Sequence, residues 1–537
     1  MEKHSDKKAV DADPGLSEPS TLARSAGLVG LLTLASRVLG LVRDSVVAAF
    51  FRKEHTDAFF VAFTIPNVLR RLLAEGALTV AFIPVYTEYL ENKGKDAARQ
   101  LLANTLGATL LALLIVTTLG EVFAPQLVWL FAEGLGEGQV LATLLTRLMF
   151  PFLVTVALVA LAMGVLNTHR HFLAPAVAPV LLNVGIIGSV MLGVGQMVHV
   201  GLPRVGALAL GVIIGGVLQL LLQLAPLAKR DALLLPRFGL AHPGVVRIAK
   251  LMLPSLFGLA IYQINIVLSR RFASFLPDGS ISVLYYAQRL IEFPLGVFAV
   301  AIATVSMPNL SGHAKAGEMD KVKATYRFAQ RIAIFLMLPA TAGLWALGEP
   351  LASVLFQRGA FTHEMAQQTG ITLAGFALGL LAAGGVRQTA PVFFALEDTR
   401  TPVAISAVAL VVFVLAALVL KGPLGTLGLA LAVALASSVN FVLMVTFLRR
   451  RIGPLGLHEI LNSTWRAALA SVACGLVAWQ VAGLGRWEEG GGALINYVML
   501  VMAVAAGGLA YVIACRLLGS PELGELLGAM RRRGRAK

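Results

Sequence analysis

Residues 36–44 read SRVLGLVRD, and residues 56–77 read TDAFFVAFTIPNVLRRLLAEGA. Both stretches place charged residues inside apolar segments of roughly twenty residues, a length that crosses about 30 Å of hydrocarbon as a helix. Similar apolar segments continue through the 537-residue chain, in which 57% of residues are hydrophobic and 14% are charged. Soluble domains usually carry about 25% charged residues. The composition therefore excludes a water-soluble enzyme and predicts an all-α polytopic membrane protein.

Motifs of soluble catalysis are absent from the sequence. It contains no Walker A stretch, no HExxH and no Gly-x-Ser-x-Gly. The two cysteines, Cys474 and Cys515, sit in apolar segments without metal-ligand spacing. The 44 Lys and Arg exceed the 29 Asp and Glu, but no basic stretch is interleaved with aromatic residues as in nucleic-acid surfaces. We therefore expect a transporter rather than an enzyme, with no metal, no cofactor and no nucleic-acid partner.

Fourteen apolar segments are expected between residues 25 and 515. When these segments alternate in direction, most basic residues fall on one side, and the positive-inside rule then puts both termini in the cytoplasm. The predicted parts are a cytoplasmic tail 1–24, an N-lobe 25–230, a C-lobe 231–451, two additional helices within 452–518, and a basic cytoplasmic tail 519–537.

The two lobes resemble copies of one unit. Phe59-Phe60 followed by Pro84 recurs as Tyr285-Tyr286 followed by Pro308, at offsets of 226 and 224 residues. Six crossings in each copy give both lobes the same orientation, as in transporters with parallel repeats. The sequence therefore predicts 14 transmembrane helices, arranged as two pseudo-symmetric six-helix lobes and two extra C-terminal helices, with the substrate site between the lobes.

Charged residues inside the hydrocarbon region are the strongest functional signal, because burying them there is costly. They cluster in three predicted segments, 25–51 (segment one), 57–90 (segment two) and 281–308 (segment eight). These charged residues are Arg37, Arg43, Asp44, Asp57, Arg70, Arg71, Glu75, Arg289 and Glu292. Five arginines face four acids, which leaves one positive charge unmatched. A guanidinium is always charged, and its planar fork matches phosphate oxygens. We expect a wet cavity that binds phosphate or pyrophosphate and whose charge makes transport sensitive to membrane potential.

Two alternative explanations stay open for these charges. Arg71 and Glu75 are four residues apart, and Arg289 and Glu292 are three apart, so each pair can neutralise itself on one helix face. Arginines near the ends of segments can also extend to lipid headgroups while their stems stay in hydrocarbon.

The order of these motifs resembles the MurJ/MviN family of lipid II flippases. The resemblance rests on the two stretches quoted above and on 166–168 LNT, 174–176 APA, 285–294 YYAQRLIEFP and 356–361 FQRGAF. It implies the multidrug/oligosaccharidyl-lipid/polysaccharide exporter superfamily, whose lobes alternate between inward-open and outward-open states. The implied function is movement of undecaprenyl-pyrophosphate-linked peptidoglycan precursor from the inner to the outer leaflet of the bacterial inner membrane.

The resemblance also implies roles for individual residues. Its substrate-binding positions are Arg37, Arg43, Arg70, Arg289, Ser36, Asn67 and Ser282, and its gate and charge-network positions are Asp44, Asp57, Arg71, Glu75 and Glu292. Many relatives carry Asp immediately before the arginine of segment eight, where this chain has Gln288. Any role of that acid therefore does not carry over.

Partners are implied in the same way. The pyrophosphate head of lipid II is expected in the cavity, and its polyprenyl tail in a groove formed by the two extra helices. The membrane and proteins of cell-wall synthesis and division are further expected partners, and the chain is expected to be a monomer.

Two other functions stay open on the sequence alone. A cation-coupled exporter of drugs or other lipid-linked oligosaccharides on the same scaffold would need a carboxylate in one lobe and would tolerate loss of the arginines. A non-transporting scaffold for cell-wall enzymes would not need the buried charges at all.

Overall fold

The computed structural model describes residues 19–526 and residue 528, without the side chains of residues 19–26, 74, 75, 77, 255 and 257–259. Within these residues all regular structure is helical. The helices are α1 Pro19–Phe50, α2 Lys53–Leu69, α3 Thr79–Asn92, α4 Gly94–Val122, α5 Ala124–Ala132, α6 Gly138–Met149, α7 Phe152–Thr168, α8 Leu173–Gly193, α9 Gly206–Ala228, α10 Pro243–Ser274, α11 Ser280–Pro294, α12 Val300–Lys315, α13 Met319–Ala346, α14 Gly348–Phe356, α15 His363–Leu378, α16 Leu380–Ala395, α17 Arg400–Ile452, α18 Leu457–Ala482 and α19 Leu494–Leu517.

Membrane-spanning helices dominate the described part of the chain. Eight helical segments are long and apolar enough to cross a bilayer, or ten if the bent pairs α6–α7 and α15–α16 each form one span. Helix α1 and the α2–α3 unit, which carry most of the charges singled out in the sequence, are not among these segments. The polytopic all-helical fold is thus confirmed, while the number fourteen stays a prediction.

Helix α17 consists of two antiparallel arms. Its 53 residues in a straight helix would be about 80 Å long, more than twice the hydrocarbon thickness. Gly425 breaks the helix with φ 54°, a positive angle that glycine adopts without a Cβ penalty. An ion pair then joins Arg451, at the end of the helix, to Asp398, just before its start. The chain therefore returns to the level at which the helix began.

The two halves repeat the same unusual backbone features. A π-helical stretch interrupts a long helix at Arg70–Leu78 in the first half and at Leu295–Ala299 in the second. Each half then contains one helix pair bent by 42°, α6–α7 and α15–α16. Positive φ angles also recur at matching places, such as Gly136 and Gly359. These correspondences confirm the two-lobe repeat that the aromatic pairs predicted.

The repeated aromatic pairs pack against each other between the lobes. The Phe60 ring stacks on Tyr285 at 3.8 Å between centroids and meets Tyr286 edge-on at 5.6 Å. Tyr286 is fully buried and also contacts Phe356 at 4.7 Å. The motif that revealed the duplication therefore forms the hydrophobic centre of the lobe interface.

The lobes are joined at one end, which we call the closed end. The backbone N–H of Ala360 donates to the carbonyl of Ala49 at 2.9 Å, and the Ser45 hydroxyl donates to the carbonyl of Leu355 at 2.6 Å. Gly359, with φ +56°, lies so close to Ala49 that a Cβ would overlap its carbonyl oxygen. The α1–α2 and α14–α15 connections meet here, so the space between the lobes is sealed on this side.

Two further sets of contacts hold the helices together. Helix α10 packs against both halves, and near its start Arg247 pairs with Glu88 of the first half at 2.8 Å. Helices α18 and α19 pack on each other and on α13. The fully buried carboxylate of Glu522, just after α19, accepts hydrogen bonds from Arg331 at 2.5 and 2.8 Å and from Ser463 at 2.7 Å. The extra helices are thereby fixed to the second lobe.

Candidate substrate-binding cavity

A polar cavity of about 420 Å³ lies between the lobes. Helices α1, α2, α7, α8 and α9 form one wall, and α10 and α11 form the other. Its charged and polar lining residues are Ser36, Arg37, Arg43, Thr64, Asn67, Arg70, Arg71, Asn183, Gln219, Tyr262, Gln263, Arg270, Tyr285, Gln288, Arg289 and Glu292. Most of the residues predicted from sequence to bind substrate are therefore brought to one place.

Asp44 forms the centre of the charge network. Its buried carboxylate accepts two hydrogen bonds from Arg43, at 3.0 and 2.6 Å, and lies 3.0 Å from Nε of Arg289. Arg43 also donates to the hydroxyl of Tyr285 at 2.9 Å. Arg43 is therefore engaged inside the protein and does not extend to headgroups. One carboxylate connects the arginine of α1 to the arginine of α11 across the lobe interface.

Arg289 is oriented by acids on two helices. Besides Asp44 it faces Glu292, one turn further along α11, with 3.6 Å between Nη1 and Oε2. Glu292 is half exposed, and a contact of this length between exposed groups contributes little. The neutralising pair predicted within α11 exists, but the buried Asp44 is the stronger partner.

Two arginines lie against glycines of the opposite lobe. A Cβ at Gly40 on α1 would overlap the guanidinium of Arg289, and a Cβ at Gly296 would overlap the guanidinium of Arg37. Gly296 belongs to the second π-helical stretch. Both arginines can enter the interface only because these positions lack side chains. The arrangement holds cationic groups from both lobes in one cavity.

The π-helical stretch that follows α2 supplies two more arginines. Nε of Arg70 donates to Oδ1 of Asn67 at 3.0 Å, and Asn67 is held in turn by the carbonyl of Phe63 at 2.8 Å. Arg71 is exposed and lines the cavity beside Arg70. The side chain of Glu75 lies outside the described residues, so its predicted pairing with Arg71 stays a prediction.

Asp57 and Ser282 lie at the closed end rather than in the cavity. Oδ2 of Asp57 accepts the N–H of Gly279 at 2.7 Å, and Oδ1 accepts the N–H and hydroxyl of Ser282 at 2.8 and 2.5 Å. A carboxylate of the first lobe thus caps the N-terminus of α11 in the second, where the helix dipole favours negative charge. The position of Asp57 agrees with a gate. Ser282 is fully buried and does not line the cavity, contrary to its grouping with substrate-binding residues.

Sequence reasoning missed several residues of this site. Arg270 lines the cavity, and its guanidinium lies 5.7 Å from the Tyr285 ring. It occurs near the end of α10 beside Arg271, so the sequence could not distinguish it from an interfacial cation. Asn183 and Gln219 were missed because isolated amides in apolar helices most often hold helices together. These residues can be recognised as part of the site only in the folded structure, where they meet in one cavity.

The cavity is strongly positive. Six guanidinium groups from the described part of the chain line it: Arg37, Arg43, Arg70, Arg71, Arg270 and Arg289. Among the described residues that line or contact it, the carboxylates are Glu292 and the already engaged Asp44. Arginines gathered from two lobes in a low-dielectric space suit a ligand with several anionic oxygens.

A second cavity adjoins the first within the second lobe. It has a volume of about 490 Å³, and its lining includes Tyr262, Arg270 and Gln288, which also line the arginine cavity. Asn440 contributes a buried Oδ1 without a hydrogen-bond partner among the described residues. Gln288, the departure noted in the sequence, therefore stands between the two spaces.

Comparison with known proteins identifies the family. The family described as "Lipid II flippase MurJ" matches residues 46–503. The chain belongs to the lipid II flippase MurJ family. It is 36% identical over 524 residues to a probable lipid II flippase MurJ of Vibrio cholerae, covering 95% of this chain and 98% of that protein. It is also 36% identical over 474 residues to the lipid II flippase MurJ of Burkholderia cenocepacia, covering 87% and 90% of the two chains.

Solved structures agree with this fold. A lipid II flippase MurJ in an inward closed conformation superposes with a TM-score of 0.76 at 24% identity, covering 91% of this chain and 99% of that one. A multidrug resistance MATE family transporter of the MOP superfamily superposes with a TM-score of 0.66 in an inward-facing conformation, at 18% identity and 79% and 98% coverage. An outward-facing MATE transporter gives 0.54, at 17% identity and 80% and 94% coverage. The MurJ and MATE folds thus share this two-lobed architecture.

Proposed function

We propose that this protein is a lipid II flippase, a transporter and not an enzyme, in the bacterial inner membrane. It moves undecaprenyl-pyrophosphate-linked peptidoglycan precursor from the inner to the outer leaflet by alternating access. The observation that carries the proposal is the cavity with six arginines from both lobes. The diphosphate, like the rest of the polar head, cannot enter hydrocarbon, and it is the part that guanidinium groups bind best.

Binding is proposed to involve exchange of partners at Asp44. In the structure this carboxylate contacts both Arg43 and Arg289. A diphosphate brings more anionic oxygens than one carboxylate, so it can engage these arginines together with Arg37 and Arg70. Because Arg289 belongs to one lobe and the others to the opposite lobe, the bound anion draws the lobes together on the open side.

Opening of the closed end completes the proposed cycle. Asp57 then releases the N-terminus of α11, and the cavity becomes accessible from the other side. With both termini in the cytoplasm, as the basic residues predict, the closed end is external and this structure faces inward. The positive cavity also makes the movement sensitive to membrane potential, worth about 2.3 kcal/mol per charge per 100 mV.

The remaining parts of the chain receive roles consistent with this cycle. The lobes are proposed to comprise residues 25–230 and 231–451, with 452–518 supplying a groove for the polyprenyl tail. The basic tail 519–537 is proposed to contact anionic lipid. The protein works as a monomer in this proposal, beside proteins of cell-wall synthesis and division.

A depletion experiment tests this function. Cells whose own flippase is depleted should accumulate lipid II in the inner leaflet, and the wild-type gene should remove the accumulation. Arg289→Ala should fail to rescue, because the cavity loses the arginine of the second lobe that contacts Asp44. Arg147→Ala is the matched control, since Arg147 is exposed and its Nε bonds the carbonyl of Glu121 away from the cavity. Full rescue by Arg289→Ala would contradict the proposal and favour a cation-coupled exporter.

A further inference from the structure

Two buried glutamines of the cavity have unused acceptor oxygens. Gln219 on α9 is 5% exposed and Gln263 on α10 is 3% exposed. Both line the arginine cavity, and Oε1 of each has no hydrogen-bond partner among the described residues. Buried polar atoms are nearly always partnered in folded proteins. Two unsatisfied oxygens on opposite walls of one cavity therefore need an explanation.

The orientation of Gln219 shows what kind of partner is missing. Its Nε2 donates to the carbonyl of Ala178 at 2.8 Å, which fixes the amide so that Oε1 points away from that contact. The atom that this side chain leaves without a partner is therefore an acceptor. Acceptors do not suit a diphosphate, which itself carries only acceptor oxygens. The missing partner must present O–H or N–H groups.

We propose that Gln219 and Gln263 form an acceptor pair that binds the uncharged saccharide of the substrate and so determine headgroup specificity. The inference rests on the proposed function, because the sugar must be attached to the diphosphate that the arginines hold. Sugar hydroxyls and the N–H of an acetamido group are the donors that such a ligand offers. A polyprenyl diphosphate without a sugar leaves both oxygens unsatisfied.

The arrangement divides recognition between two sets of residues. The arginines provide most of the attraction, which any polyprenyl diphosphate shares. The acceptor pair adds affinity only when hydroxyl or amide donors are present. A site built to bond such groups discriminates strongly against analogues that lack them, since buried partners are then left unpaired.

Binding of two lipids to the purified full-length protein tests this division. The probes are undecaprenyl diphosphate and the same lipid carrying the disaccharide-pentapeptide. Gln263→Met and Gln219→Met keep the length of the side chain and remove the amide, which in Gln219 includes the bond to the Ala178 carbonyl. Each should lower the preference for the sugar-bearing lipid about tenfold, the equivalent of one well-made hydrogen bond, while affinity for undecaprenyl diphosphate stays unchanged.

Gln223→Met is the matched control. Gln223 lies one turn further along α9, is fully buried with neither amide atom partnered among the described residues, and does not line the cavity. Its replacement should leave both affinities unchanged. Gln263→Asn shortens the side chain by one methylene and so withdraws the amide. It should reduce the preference for the sugar-bearing lipid as Gln263→Met does, and it is the variant to use if Gln263→Met does not fold.

The outcomes separate this inference from the proposed function. An unchanged preference in both Gln219 and Gln263 variants, or equal loss of affinity for both lipids, would overturn the acceptor pair. Arg289→Ala should weaken both lipids alike. If it weakens neither, the diphosphate site itself is wrong, whatever the glutamine variants do.

Discussion

Asp57 offers the sharpest test of alternating access, because one side chain fastens the closed end. Its carboxylate accepts three hydrogen bonds from the first turn of α11, at 2.7, 2.8 and 2.5 Å, and is 3% exposed. In Asp57→Asn one oxygen becomes an NH₂ group, which faces N–H or hydroxyl donors and cannot accept from them. The negative charge at the helix N-terminus is lost as well.

The size of the effect follows from these contacts. Hydrogen bonds to charged groups contribute about 1.5–3 kcal/mol each. Losing one of them and weakening the others should destabilise the closed end by about 3 kcal/mol, roughly a hundredfold in the ratio of closed to open protein. Asp57→Asn should therefore populate the externally open state and slow turnover, since resetting the cycle requires this end to close.

Distances between spin labels measure this shift. Cysteines at Glu137, in the α5–α6 connection, and at Glu364, in the first turn of α15, place labels on exposed positions, one in each lobe. The native thiols of Cys474 and Cys515 are buried and should not react. We expect one short distance in the wild-type background and an additional longer one with Asp57→Asn.

Asp278→Asn is the control for this experiment. Asp278 is an exposed acid in the α10–α11 connection, immediately before Gly279. Its neutralisation should not lengthen the distance between the two labels. If Asp57→Asn leaves both the distance distribution and the turnover as in the wild type, the capping of α11 does not hold the gate and the reasoning is refuted.

Three further changes test other parts of the structure. Arg289→Lys keeps the charge but loses the planar fork. Measured in depleted cells, it should restore less than a tenth of the precursor transport that Arg289→Ala loses. Full restoration would show that charge alone suffices. Gly296→Ala should displace the guanidinium of Arg37 and reduce undecaprenyl diphosphate binding several-fold, and unchanged binding would mean that this contact does not position the arginine. Arg331→Met leaves the fully buried Glu522 without its cation and should lower the free energy of unfolding by about 3 kcal/mol. The unfolding temperature should fall accordingly, and adding Glu522→Gln to Arg331→Met should partly restore it.

Much of the fold was predictable because the membrane restricts the choices. Apolar length determines a crossing helix, and the recurrence of Phe59-Phe60 as Tyr285-Tyr286 indicated the duplication. The structure shows why that pair was informative, since the two copies stack on each other between the lobes. No sequence rule indicated the positive φ at Gly425.

The candidate site was predictable only where charge stands out against an apolar background. Arg37, Arg43 and Arg289 were found in this way because a buried cation in a membrane helix is rarely accidental. Arg270 was missed because its place near the end of α10 resembles an interfacial arginine. Ser282 was grouped with substrate-binding residues, yet its hydroxyl bonds Asp57 at the closed end. Whether the Ser282 hydroxyl faces the cavity or bonds Asp57 depends on how the two lobes pack.

The two π-helical stretches could not be anticipated from composition. Each follows a proline-containing helix, and the second brings Gly296 against Arg37. Widened turns of this kind often accompany functional sites. Their occurrence at equivalent places in both lobes indicates that the duplication preserved a backbone irregularity along with the aromatic core.

The most direct measurement is a cryo-electron microscopy structure of the protein with undecaprenyl diphosphate-linked disaccharide-pentapeptide bound. We predict density for the two phosphates within hydrogen-bond distance of Arg289 and of at least one arginine from α1 or α2, with the carboxylate of Asp44 displaced from Arg289. Phosphate density elsewhere, with Arg43 and Arg289 still bound to Asp44, would contradict the central claim.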